Sequence, residues 1–411
     1  MNVLDKSLIR NCTSCGVCAT ICSKSAITIK LDGEGFYRPF VDADLCNDCG
    51  LCTSVCYKFD EQPLMTTKEG LLAKPLFSAW AKDDALVKET TSGGIGDLLA
   101  RQLQKEGYKV VGVVYNEDAI RAEHRVAENE NDLSLFRGSK YIQSYTFDAF
   151  KEVVANCRNE KYAVFGTPCQ IYALNRFATK RKLRDNFFFV DLYCHGCPTL
   201  FAWTKFQDDV KRKAKVHKLD KVSFRSKLRG WGSFNVLVEA NGERISNGKY
   251  NDKYYELFFC DQLLNAACHD CKLRSTLEYT DIRLGDFWGK KFLNNQKGVS
   301  AISLATARGK YVFDSIKDNI TYSECDYQDF LPWQSWGKSY SIDTEIRKAT
   351  LNSLSNPEED INDAIRVLRK KQPLKNNIMR MAKSTISILP LQFINTLKRI
   401  KYSLLKLLLM R

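Results

Sequence analysis

The sequence lacks a charged, apolar, small-residue leader: MNVLDKSLIR runs directly toward cysteine, so secretion is not expected. It also lacks any apolar run of the roughly 18–20 residues that a bilayer span requires. A third absence is local, for between Lys375 and Arg411 there are eight lysines and arginines and no acidic residue. What is present is globular material: 411 residues, 44% apolar and 27% charged, enough for two or three domains and too apolar for a disordered tail. The expected location is cytoplasmic. In a reducing compartment the sixteen cysteines read as metal ligands or reactive thiols rather than disulfides.

Their spacing sharpens this. Cys12, Cys15, Cys18 and Cys22 follow C-x2-C-x2-C-x3-C, and Cys46, Cys49, Cys52 and Cys56 repeat it. Tight loops of this spacing wrap three thiolates around one iron-sulfur cube while the fourth cysteine reaches the neighbouring cube. The expected sets are Cys12, Cys15, Cys18 and Cys56 for one [4Fe-4S] cluster, and Cys46, Cys49, Cys52 and Cys22 for the other. Zinc is the competing reading, but four-cysteine zinc sites use two separated pairs. The pattern resembles the two-cluster ferredoxins of bacteria over about residues 5–62. The proline usual after each fourth cysteine is missing, replaced by Ser23 and Tyr57; this alters the loops and removes no ligand. Between the runs, ITIKLDGEGFYRPFVD alternates as a hairpin around Asp32-Gly33-Glu34-Gly35.

Beyond the ferredoxin-like part, residues 63–84 read as a linker of weak periodicity. In KETTSGGIGDLLARQLQKEGYKVVGVVY a small-residue turn opens an amphipathic helix and a buried strand follows. Such a turn leaves backbone N–H groups free for an anion, but taken alone it is a weak signal, since Ser92 as a simple cap and the glycines as a simple turn also account for it. Alternating segments follow: a helix in YTFDAFKEVVANCRNEK, a strand in YAVFGTP, a helix in CQIYALNRFATKRK and a strand in NFFFVDLYCHG. The order implies α/β architecture with a partly parallel sheet. VSFRSK and FNVLVEANGERISNG read as hairpin strands, and DKYYELFFCDQLLNAACHDC as helical before its cysteines. Residues 336–374 read as closing helices, one of them starting at Asn356-Pro357-Glu358-Glu359.

Eight further cysteines remain, among them Cys169 in GTPCQI, Cys194 and Cys197 in DLYCHGCP, and Cys268 and Cys271 in AACHDCKL. Together with TSGG at 91–94, GSKYIQS at 138–144 and DIRLGDFWG at 281–289, these segments resemble the family of coenzyme F420 hydrogenase/dehydrogenase beta subunits, from about residue 10 to 335. The resemblance implies an iron-sulfur flavoprotein carrying FAD. It places Ser92, Gly93, Gly94, Lys140, Gln143 and Thr167 near the flavin, and makes Cys169, Cys194, Cys268 and Cys271 the ligands of a third [4Fe-4S] cluster. The choice between Cys194 and Cys197 stays open. His195, Asp286 and Lys140 are the candidate catalytic residues, each with a structural alternative: a satisfied loop histidine, an anchoring carboxylate and a solvated lysine. Arg225 and Lys227 are candidates for an anionic ligand.

The expected fold is therefore an α+β two-[4Fe-4S] ferredoxin domain (1–62), the linker (63–84), a mixed α/β domain binding FAD and a [4Fe-4S] cluster (85–335), a helical closing segment (336–374) and a basic amphipathic tail (375–411). Clusters pass single electrons while metabolites take hydride, and a flavin bridges the two. The expected activity is a FAD-dependent oxidoreductase linking a ferredoxin-type or F420-like deazaflavin partner to a small anionic or sugar-like substrate. The alternative is an electron-transfer subunit that feeds a partner enzyme. The formal charge of +14 falls to roughly +8 once three clusters of charge 2− are bound, so nucleic acid is not the expected partner. The tail, with Lys398, Arg399, Lys401 and Lys406 interrupting its apolar residues, reads as a peripheral membrane or partner helix, or as one packed on its own core.

Overall fold

The computed structural model describes residues 1–5, 10–228, 230–245 and 252–371. The basic tail at 375–411 lies outside the described residues. Among those described, no helix is long and apolar enough to cross a membrane.

The N-terminal part is built twice on one local plan. Two four-residue helices, α1 (Val17–Thr20) and α2 (Leu51–Ser54), carry Cys18 and Cys52. Each begins after a glycine in the left-handed region, Gly16 at φ 75° and Gly50 at φ 74°, a conformation that glycine adopts without steric penalty. Between them β1 (Ile27–Leu31) pairs antiparallel with β2 (Tyr37–Val41), Ile27 opposite Val41. Asp32 Oδ1 closes the turn by accepting from Glu34 N at 3.0 Å and Phe36 N at 2.9 Å.

The expected linker is not one. It holds α3 (Lys68–Leu72) and β3 (Leu76–Ala81), and β3 lies inside the main sheet. LFSAWA shows weak alternation because the strand is covered on both faces, which removes the polar half of the usual pattern. The main domain continues through α4 (Asp84–Glu89), α5 (Ile95–Lys105), β4 (Lys109–Asn116), β5 (Arg121–Val126) and β6 (Ser144–Tyr145). Next come α6 (Phe147–Asn156), β7 (Tyr162–Phe165), α7 (Pro168–Lys180), β8 (Phe187–Leu192) and α8 (Leu200–Ala214). A small antiparallel sheet, β9 (Lys221–Ser223), β10 (Leu237–Ala240) and β11 (Glu243–Arg244), precedes α9 (Lys253–Phe258). The helix expected to run on toward Cys268 stops at Phe258, and the chain turns at Asp261, whose φ is 61°. The remainder is β12 (Ile282–Asp286), β13 (Ser300–Leu304), α10 (Ala307–Ser315), β14 (Ile320–Glu324), α11 (Tyr327–Phe330), α12 (Thr344–Ser355) and α13 (Ile361–Lys371).

Nine strands form one mixed sheet in the order β14-β3-β13-β12-β8-β7-β4-β5-β6. Its centre is parallel: β12, β8, β7 and β4 run the same way. The sequence of β8 shows why. Phe187 and Phe189 enter one core with α6 and α7, while Phe188 and Val190 enter another with α5 and α10. A period of two with apolar residues in both phases requires helices on both faces. Each such Phe contributes on the order of 3–5 kcal/mol relative to alanine. The closing helices α12 and α13 bury Ile346, Leu351, Ile361 and Ile365 against the Trp203 and Phe206 face of α8. Asn356–Glu359 form the turn before α13 rather than its first residues, because Asp360 Oδ1 accepts from Asn362 N and Asp363 N and so sets the helix start.

The N-terminal part is seated on this domain by specific contacts. Thr146 Oγ1 donates to Cys15 O at 3.0 Å, and a Cβ at Gly16 would meet that hydroxyl at 2.2 Å. Thr199 Oγ1 donates to Glu34 O at 2.6 Å, and Arg347 pairs with Glu34 at 2.7 Å.

Candidate functional site

Cys12, Cys15, Cys18 and Cys56 line one pocket together with Val17 and Val55. Cys22, Cys46, Cys49 and Cys52 line a second, beside Met1 and Asp48, and Cys49 is exposed. In each pocket the fourth cysteine comes from the other run. Burial pushes the Cys18 thiol well up, and Cys15, Cys12, Cys56 and Cys52 push it further. Thiols so packed resist ionisation by themselves, and a cationic core held among them would supply the missing charge.

A third group forms from distant segments. Cys169 sits in the first turn of α7, which Pro168 opens and Thr167 caps through a reciprocal pairing with Gln170. Cys194 and Cys197 lie in the loop after β8, and Cys268 and Cys271 flank a short turn. Burial pushes the Cys197 thiol well up, and Cys194, Cys268, Cys169 and Cys271 add to it in that order. Five thiols therefore meet here, Cys197 included. Cys169 feels Cys15 more than any other thiol, so the first and third groups adjoin. Among the described residues no three His, Cys, Asp or Glu side chains close on a single metal ion.

Two residues that sequence reasoning missed hold the third group. Arg274, 3% exposed, donates to the carbonyls of Cys194 (3.2 Å), His195 (2.9 Å), Cys268 (2.6 Å) and Lys338 (2.5 Å). Asp261 ties the two cysteine loops together: its carboxylate meets His195 Nε2 at 2.9 Å and its carbonyl meets His269 Nε2 at 3.1 Å. Neither carries a short-range signal, since Arg274 braces a loop some eighty residues away.

Against this group opens a cleft of about 530 Å³. At one end it is lined by Cys169, Cys194 and Cys197, at the other by Ser92, Gly94 and Gly96. Gly94, at φ 83°, precedes α5 and no side chain caps that helix, which leaves its first N–H groups without a local acceptor. Ser92 Oγ is buried with no hydrogen-bond partner. Phe234, Phe258, Phe259 and Trp288 supply an aromatic wall, and Thr13 and Ser14 of the first cysteine run also reach the cleft.

Ser92, Gly94, Lys140, Gln143, Thr167, His195 and Asp286 line the cleft. Gly93 is packed between strands instead: a Cβ there would lie 2.4 Å from Ala79 O, and its N–H is held by Ser300 Oγ at 3.0 Å. Lys140 lies at the cleft, yet its ammonium donates to Leu135 O (3.2 Å), Phe136 O (3.3 Å) and Arg137 O (2.9 Å), filling all three N–H positions. Burial pushes its pKa down to about 7, with Glu117 opposing. Gln143 spends its amide on the ferredoxin hairpin and the loop after β8, accepting from Tyr37 N (3.3 Å) and donating to Gly35 O (3.4 Å) and Pro198 O (3.3 Å). Thr167 Oγ1 lies 3.3 Å from Cys169 Sγ. Asp286 is anchored by Arg225 at 3.0 Å and Trp231 Nε1 at 3.0 Å. Arg225 and Lys227 are not free for a ligand: Arg225 also binds Tyr141, and Lys227 Nζ donates to Val87 O and Ser92 O, each at 2.6 Å. Burial brings Lys227 down to about 8. His195 has Asp261 on one nitrogen and Tyr340 Oη at 3.0 Å on the other.

Residues 11–58 match the family described as 4Fe-4S dicluster domain, and residues 159–329 match the C terminus of the coenzyme F420 hydrogenase/dehydrogenase beta subunit. One subunit of the F(420)H(2) dehydrogenase of Methanosarcina mazei is 23% identical over 325 residues, 76% of this chain and 84% of that protein. The beta subunit of the coenzyme F420 hydrogenase of Methanococcus voltae is 25% identical over 256 residues, 60% of this chain and 85% of that protein. A chain from the xenon-derivatised F420-reducing [NiFe] hydrogenase complex of Methanosarcina barkeri aligns over 73% of this chain and 92% of its own, at 18% identity and a TM-score of 0.45, too loose a likeness to carry an argument.

Proposed function

We propose that this chain, which resembles the coenzyme F420 hydrogenase/dehydrogenase beta subunits and carries a 4Fe-4S dicluster domain, is an iron-sulfur flavoprotein that exchanges electrons between a redox partner and a ligand in its cleft. The carrying observation is that one cleft touches both the uncapped start of α5 and the third cysteine group. The first two cysteine sets hold [4Fe-4S] clusters, Cys12, Cys15, Cys18 and Cys56 in one and Cys22, Cys46, Cys49 and Cys52 in the other. Four of Cys169, Cys194, Cys197, Cys268 and Cys271 hold a third. The cleft takes FAD: its volume falls within the usual range for a cofactor site of about 300–1,000 Å³, and the orphan Ser92 hydroxyl and free N–H groups of α5 suit a pyrophosphate. When bound, flavin couples one-electron to two-electron chemistry.

The chain's own residues then bind and orient. Ser92 and the α5 N-terminus hold the anionic portion, while Phe234, Phe258, Phe259 and Trp288 offer ring faces to a planar group. His195, fixed by Asp261 and Tyr340, presents a held imidazole to the cleft. Lys140 and Gln143 position the 138–144 segment and the ferredoxin hairpin rather than touching substrate. Because the relatives are named for F420, a deazaflavin is one redox substrate to test; a small anionic or sugar-like metabolite is the other.

A second reading is favoured by a specific observation, that both relatives are named as subunits: the chain feeds electrons to a partner enzyme and turns over no metabolite alone. Anaerobic assay of iron, acid-labile sulfide and released flavin tests the first reading. About twelve irons and twelve sulfides with one FAD per chain are expected; about eight irons and no flavin in a folded preparation would sink it. Turnover by the isolated chain with an artificial donor separates the two readings.

A further inference from the structure

Position 57 follows the last cysteine of the second run, where two-cluster ferredoxins carry proline. Here it is tyrosine, 3% exposed. Its ring meets Tyr172 edge-on at 5.5 Å between centroids, and the Arg10 guanidinium lies 4.7 Å over it. Its Oη accepts the main-chain N–H of Lys272 at 3.1 Å. Tyr57 is bonded to Cys56, which lines the first pocket, and Lys272 is bonded to Cys271 of the third group. One hydrogen bond therefore completes an otherwise covalent path between two cysteines that are 215 positions apart in sequence. Packing alone does not require the hydroxyl, since phenylalanine would fill the same space.

We propose that Tyr57 is a positioning residue whose hydroxyl fixes the first cysteine pocket against the third, holding Cys56 and Cys271 at one separation. This rests on the reading that both groups carry iron-sulfur clusters. A second approach between the groups runs from Cys15 to Cys169, and a change at Tyr57 leaves its residues intact. Removing one oxygen atom therefore alters the relation of the two groups, which mere proximity of the cysteines would leave unchanged.

The test uses holoprotein of wild type, Tyr57→Phe and Lys272→Pro. Lys272 opens a short 3-10 turn after Cys271, and the first position of a helix tolerates proline because its N–H has no partner within the helix; this variant removes the same bond from the donor side. Two readouts are taken at unchanged iron content. Exchange of the Lys272 amide proton in Tyr57→Phe is expected to quicken on the order of fivefold. The magnetic interaction between the first and third clusters in the reduced protein, read by electron paramagnetic resonance, is expected to weaken in both variants. An interaction identical to wild type in both variants, at full iron, would overturn the proposal and leave the Cys15–Cys169 approach as what sets the separation. Wild-type protein with about eight irons would instead overturn the cluster reading beneath it.

Discussion

Replacing Arg274 with methionine removes the brace of the third cysteine group while keeping much of the stem's packing. The guanidinium donates to four carbonyls, those of Cys194, His195, Cys268 and Lys338, and stands 4.6 Å over the Tyr340 ring. Hydrogen bonds to a charged group are worth about 1.5–3 kcal/mol each, so four sum to roughly 6–12 kcal/mol if additive. Relaxation and water entry return part of this, and removing one side of a buried charged network costs about 3–5 kcal/mol in practice. Against a total stability of about 5–15 kcal/mol the fold survives, but the loops carrying Cys194 and Cys268 lose their common anchor. Expected in Arg274→Met are a lower melting temperature and, on the proposed three-cluster reading, a fall from about twelve irons to about eight per chain, with the N-terminal clusters retained. Arg274→Lys, which keeps the charge but not the fork, should fall between the two. Iron and sulfide assay with thermal denaturation reads both. A methionine variant with full iron and wild-type melting would refute the brace.

Substituting serine separately at Cys194 and Cys197 should leave one variant with full iron, because five thiols meet where a cube takes four; a loss in both variants would contradict this. Alanine at Gly93 places a methyl 2.4 Å from Ala79 O and 2.9 Å from Trp80 Cα, costing about 1–3 kcal/mol in denaturant unfolding, whereas Gly33→Ala, with no atom within 4 Å, is near neutral. His124 is 3% exposed and burial pushes its pKa down from 6.5 to about 4, with Phe165 O opposing. Below pH 6.5 the unfolded chain takes up a proton that the native chain refuses, so its contribution is full above 6.5 and is lost as pH falls toward 4, amounting to about 2 kcal/mol at pH 5. Urea unfolding of wild type and His124→Gln at pH 7 and 5 should show that excess loss in wild type alone.

How much was legible divides by the range of the interactions. The spacing of the eight N-terminal cysteines and the β1–β2 hairpin around Asp32 were determined by the sequence itself, because each depends on neighbours a few residues apart: spacing and turn chemistry. Strand β3 was not, because its place between β13 and β14 depends on partners more than two hundred positions away, and its cover on both faces erased the alternation that marks a strand. The family resemblance places Gln143 and Lys140 near a flavin, while the fold turned their polar atoms onto the hairpin and onto nearby carbonyls that needed donors. Asp261, Arg274 and the Tyr57 hydroxyl acquired their roles only when tertiary packing brought the cysteine loops together and left buried carbonyls, ring nitrogens and an N–H to be paired.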